Sequence, residues 1–278
     1  MMPDILLQLL PAIAPALLYA VLGFYFWHSR WRNAPSSEKA MQPWEQQAIG
    51  LALLLHGADI YTDMFSSGGM RFSFSIALSL ITWLAVLIYL IESGKSRLES
   101  LQPVIMALAS LSTLATVLFS QTHLIAHTAS WAFRLHFMAG MLAYSLFTLA
   151  ALHAVFMGLA ERSLHHARLD GRLSRLPPLL AMEALLFRTI ALGFICLTVA
   201  LGSGVVFSED IFGRPFPFGH KTIFALLSWL IFAALLLGRK LRGWRGRIAL
   251  RWTLAGFLAL FLAYIGSRFV SEVLLGRI

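Results

Sequence analysis

Apolar positions in this chain run in long unbroken blocks, with neither the alternation of a half-buried strand nor the single stripe of a soluble amphipathic helix. Eight blocks stand out, at residues 5–27, 48–65, 72–91, 103–120, 133–159, 182–206, 220–238 and 252–272. A bilayer core about 30 Å thick is crossed by about 20 helical residues. Helices are expected because a helix satisfies its own backbone hydrogen bonds in lipid. The pattern therefore predicts an all-α polytopic transmembrane helix bundle of about eight spans. The second block fits least well, being short and carrying His56, Asp59 and Asp63. Its alternative is a seven-span protein with residues 48–65 half-inserted. The first block lacks a basic start and a small-residue cleavage site, so it is expected to be a retained span and not a signal peptide.

The polar stretches between the blocks set an orientation. Segments 28–47, 92–102, 160–181 and 239–251 hold fifteen of the 22 Lys and Arg residues. Basic loops stay on the cytoplasmic side, which predicts that both the N-terminus and the C-terminus lie on the non-cytoplasmic side. No linker is long enough to separate two soluble domains, so one domain over 1–278 is expected.

Composition agrees. The chain is 59% hydrophobic and 13% charged, against about 45–50% and about 25% for a soluble globular protein. The net charge of +9 is spread over short loops and forms no soluble basic face, so a nucleic-acid partner is not expected and membrane lipid is. The single cysteine, Cys196, excludes an intrachain disulfide. Walker, GxGxxG and HExxH motifs are absent, as is any catalytic triad order.

Chemistry is then sought among ionisable groups placed in or near the hydrocarbon, where they are costly. His56 falls near mid-membrane in the second span, His136 about one turn inside the outer end of the fifth, and His220 at the outer mouth of the seventh. Neutral imidazole is the usual protein ligand of haem iron, and Trp131, Phe133, Phe137, Phe216 and Phe218 are candidate walls. The other reading is that His136 and His220 only hydrogen-bond neighbouring helices, and that His56 bonds Asp59 at i+3. His123 and His127 are spaced to share a helical face or to be solvated. His28, His153, His165 and His166 fall on the cytoplasmic side. Lys221 and Arg214 are candidates for acidic groups such as haem propionates, or for plain interface anchoring. Arg188 either snorkels or pairs with Glu183. Trp83, Trp229 and Trp252 fit aromatic belts.

The C-terminal third carries a specific pattern. His220-Lys221-Thr222, Ser228-Trp229, Gly243-Trp244-Arg245-Gly246-Arg247, Ala255-Gly256-Phe257 and Ala263-Tyr264-Ile265-Gly266 follow one another. Leu135-His136 precedes Leu142-Ala143-Tyr144-Ser145. Together these resemble the cytochrome c assembly family of haem-handling membrane proteins, and span count and length resemble its short branch, whose members also carry a histidine in the second span. The resemblance implies a single assembly-type transmembrane domain, with His136 as an outward haem-ligating histidine. The synthetase members carry a tryptophan-rich motif where this chain reads Ser208 to Pro215 without tryptophan. They also have a histidine after the last helix, where this chain reads Ser271 to Ile278. Covalent haem attachment is therefore not expected.

The expectation is an inner-membrane, multi-pass protein that binds or conveys haem b in support of cytochrome c biogenesis. His136 and His220 are then the iron ligands, His56 a mid-membrane station, and other cytochrome c assembly proteins its partners. The alternatives are a small-solute or proton-coupled transporter using the same histidines, and a non-catalytic structural or regulatory partner of a membrane complex.

Overall fold

A computed structural model describes residues 2–32, 41–65, 70–93, 101–119, 122–124, 128, 130–165, 179–208 and 219–275. Each apolar block is built mainly of helix. They are α1 (Met2–Phe26), α2 (Pro43–Phe65), α3 (Phe74–Ser93), α4 (Gln102–Leu118), α5 (Trp131–His165), α6 (Leu179–Val206), α7 (His220–Arg242) and α8 (Gly246–Phe261). α8 runs on through π-helical turns to Leu274. Six helical segments are long and apolar enough to cross a membrane, at Leu10–Arg30, Phe74–Ser93, Trp131–Leu159, Met182–Val206, His220–Arg242 and Gly246–Phe269. Of the two remaining expected spans, α4 is a shorter apolar helix of 17 residues. α2 has a span's length at 23 residues but is interrupted by polar side chains. The all-α architecture is thus observed, with six span-capable segments among the eight expected.

Two boundaries differ from the hydrophobicity pattern, each for a local reason. α2 starts at Pro43 and not near residue 48. Proline is preorganised for a first helical turn, and Glu45 Oε2 reaches back to accept the Gln42 N–H at 2.8 Å, half of a capping box. The basic stretch 239–251, read as a loop, is almost entirely helix. α7 continues to Arg242, Gly243 caps it in the left-handed region at φ 65°, and α8 begins at Gly246. A glycine just past a helix end takes that conformation without the Cβ clash other residues meet, so three residues suffice for the reversal.

The described helices form two compact units, α1–α4 and α5–α8. In the first, α1 lies along α4 and α2, and α3 packs on α2 and α4. A two-residue antiparallel bridge, β1 (Arg71–Phe72) with β2 (His123–Leu124), joins two loops of this unit. His123 is therefore extended, which overturns the helical pairing considered for it with His127. The Trp83 Nε1 donates to the Leu53 carbonyl at 2.8 Å and ties α3 to α2.

One end of this unit is closed by charge. Arg30 Nη2 meets Glu45 Oε2 at 2.8 Å with side chains only 9% and 2% exposed. Tyr25 donates to the other Glu45 oxygen, and Arg30 Nε to Gln102 Oε1. Removing one member of such a buried pair costs about 3–5 kcal/mol, because the partner is left charged and dry.

In the second unit Phe147 of α5 stacks on Phe232 of α7 with ring centroids 3.8 Å apart. Tyr144 donates to the Leu260 carbonyl at 2.8 Å, and Ser228 to the Gly256 carbonyl at 2.9 Å. These bonds pin α5 to α8 and α7 to α8 through backbone oxygens. Trp229 is likewise absorbed into packing, with its Nε1 on Thr198 and its ring against Phe194.

Candidate functional site

His136 sits in the second turn of α5, half-buried against α6. Its Nδ1 lies 2.9 Å from the Ala200 carbonyl and 3.3 Å from Ser203 Oγ. A carbonyl oxygen only accepts, so Nδ1 carries the proton. Ser203 has already given its hydroxyl proton to the same carbonyl at 3.0 Å, so it too accepts from Nδ1–H. The hydrogen-bond network thereby assigns the neutral ring's lone pair to Nε2. Metal-ligating histidines are commonly held this way, with the non-ligating N–H donated to a carbonyl or carboxylate. Gly204 makes the approach possible. A Cβ there would stand 3.2 Å from His136 Cε1, closer than side-chain carbons normally pack.

Elsewhere in the second unit cations gather on a pair of tyrosines. Tyr144, eight residues further along α5, meets the ring of Tyr264 with centroids 6.4 Å apart. Lys221 Nζ and the Arg268 guanidinium each lie 5.7 Å from the centre of that Tyr264 ring. Such placement is the ordinary cation–π arrangement. It also collects positive charge around Tyr264. His220 is exposed as the first residue of α7, directly before Lys221.

His56 belongs to the first unit and is fully buried. Its Nε2 lies 2.7 Å from Ser79 Oγ on α3 and 3.3 Å from Thr113 Oγ1 on α4. Thr113 donates its only hydroxyl proton to the Ala109 carbonyl at 2.8 Å, so it can only accept from His56. Placing the proton on Nε2 lets both hydroxyl oxygens accept from one N–H, leaves the Ser79 O–H without an acceptor, and puts the lone pair on Nδ1, which has no hydrogen-bond partner. The Tyr19 ring stands edge-on, 5.5 Å from the imidazole. The anticipated His56–Asp59 bond is not formed. Asp59 is buried with Oδ2 unpartnered, and the hydroxyls of α3 and α4 replace it.

The remaining candidates are placed as follows. Glu183 does not take Arg188; its carboxylate meets Arg239 of α7 and Arg245. His153, expected on the cytoplasmic side, is buried on α5 with its Nε2 lacking a hydrogen-bond partner. His127, His166, Arg214, Phe216 and Phe218 lie outside the described residues. Among the described residues, no three His, Cys, Asp or Glu side chains gather where they could hold a metal ion. Sequence reading missed Ala200, Ser203 and Arg268. The small residue Gly204 was the available signal of close helix approach.

The sequence profile of the cytochrome c assembly proteins matches residues 44–275, reaching from α2 to the end of the described chain. The chain belongs to the cytochrome c assembly family. Among its relatives, the inner membrane protein YpjD of Escherichia coli K12 is 27% identical over 83% of this chain and 89% of its own length. A 28.8 kDa protein from the nifR3-like 5′ region of Azospirillum brasilense is 32% identical over 51% of this chain and 52% of its own. The cytochrome c biogenesis protein CcsA of Prochlorococcus marinus NATL1A is 38% identical, over 31% of this chain and 27% of its own. In length this member of the cytochrome c assembly family thus accords with YpjD, and its likeness to CcsA is confined to a shorter stretch.

Proposed function

We propose that this protein resides in the inner membrane and binds or conveys haem b in support of cytochrome c assembly. His136 is the axial ligand near the non-cytoplasmic face, His220 a second or gating ligand, and His56 a mid-membrane station. The proposed topology has about eight spans with both termini on the non-cytoplasmic side, and other cytochrome c assembly proteins are its partners. The observation that supports the reading is the donation of His136 Nδ1–H to the Ala200 carbonyl, which puts the ring's lone pair on Nε2. Haem iron supplies an axial position that takes a neutral imidazole nitrogen. Lys221 and Arg268, beside Tyr264, supply cations for the propionates. His56 differs in kind: with Nε2 on Ser79 and Thr113, it ligates through Nδ1 or must first give up that pair. Membership of the family and the name of the relative YpjD support the setting.

The test is haem titration of the protein purified in mild detergent. The expected result is a Soret band that His136→Ala abolishes and His220→Ala weakens or shifts. Absence of the band after loading, or a band indifferent to both substitutions, would contradict the proposal.

A further inference from the structure

The reversal between α7 and α8 carries more positive charge than the fold uses. Residues 239–251 contain Arg239, Lys240, Arg242, Arg245, Arg247 and Arg251 and no acidic residue. Neighbouring helices bring two carboxylates to them. Glu183 of α6 takes Arg239 and Arg245, and Glu161 of α5 takes Arg247 at 2.8 Å. Lys240, Arg242 and Arg251 are exposed and have no carboxylate partner among the described residues. The C-terminal dipole of α7 offsets about half a charge for the two in its last turn, which leaves a surplus.

Position decides what that surplus meets. The turn joins two span-capable segments, His220–Arg242 and Gly246–Phe269, so it stands at a membrane surface. Arg251 is five residues into α8, about 7.5 Å along the axis from its start, within the depth of a headgroup layer. Trp244 and Trp252 lie beside the turn with ring centroids 5.1 Å apart. Indoles favour that depth. The left-handed Gly243 cap and the ion pairs to Glu183 fix the turn, so its cations are presented from a rigid support.

We propose that Lys240, Arg242 and Arg251 give the α7–α8 turn a basic surface that recruits anionic phospholipid headgroups through their phosphates. This does not depend on the haem reading. Guanidinium groups match phosphate oxygens in paired hydrogen bonds, and juxtamembrane cations attract anionic lipid at a strength equivalent to about fivefold in affinity each.

The experiment compares the full chain with K240Q/R242Q/R251Q in detergent, adding phosphatidylglycerol, phosphatidylcholine or inorganic phosphate. Thermal unfolding and native mass spectrometry of retained lipid are the readouts. Phosphatidylglycerol is expected to raise the unfolding midpoint of the wild type and to remain bound, with both effects lost in the variant. Phosphatidylcholine and inorganic phosphate are expected to leave both proteins unchanged. The paired variant E161Q/R247Q, which keeps net charge, should retain the full phosphatidylglycerol effect. Should the triple variant not survive purification, R251Q alone should weaken phosphatidylglycerol retention about fivefold. Equal stabilisation of wild type and variant by phosphatidylglycerol would overturn the proposal. So would stabilisation by inorganic phosphate to the same extent, or equal loss in E161Q/R247Q.

Discussion

His56 and His136 are the same side chain set to opposite chemistry by what each ring nitrogen touches. In the first unit two hydroxyls, Ser79 and Thr113, surround Nε2 and leave the lone pair on Nδ1. In the second a backbone carbonyl, Ala200, fixes the proton on Nδ1 and leaves the lone pair on Nε2. Burial differs as well. His56 is sealed behind Tyr19, whereas His136 is half-open against a glycine. A ligating imidazole needs an oriented lone pair, and the Ala200 carbonyl orients the one on His136. The two histidines thus differ in what they hold: His56 organises hydroxyls on α3 and α4, whereas His136 bonds a backbone carbonyl of α6.

That contrast can be broken from either side. Gly204→Ala should have the larger effect, because its new methyl group presses on the His136 ring at 3.2 Å. Haem affinity is expected to fall about tenfold, the usual scale for disturbing the group that orients a ligand, with helical content by circular dichroism unchanged. An unaltered affinity would mean that the Ala200–His136 arrangement does not matter to binding. Thr113→Val should act in the other unit and more weakly. It removes one acceptor from His56 and should cost about 1 kcal/mol of stability, with the Soret titration unchanged. If Thr113→Val moved the haem spectrum as much as Gly204→Ala does, the two histidines would not be distinct in role.

Much of the scaffold was readable from hydrophobic runs. The start of α7 at His220 and the helical nature of all eight blocks follow from run length alone, since lipid leaves the backbone little choice. The ends were less readable. Pro43 and Glu45 extend α2 by a local cap that hydropathy does not register, and Gly243 compresses an apparent basic loop into three residues. Partners across the bundle were the least legible. Asp59 at i+3 was the natural guess for His56, but Ser79 and Thr113 lie 23 and 57 positions away. The partner that sets His136 is the carbonyl of Ala200, and every residue has a carbonyl, so no side-chain pattern announces it. The small residue at 204 marked the close approach without saying which ring would fill it.

Nitrogen-15 magnetic resonance of histidine-labelled protein in detergent tests the central contrast most directly. His136, assigned by its substitution, should show a protonated Nδ1 and a bare Nε2 whose signal alone moves on haem loading, while His56 should show the reverse protonation. A proton on Nε2 of His136, or haem-dependent change at His56 with none at His136, would contradict the account.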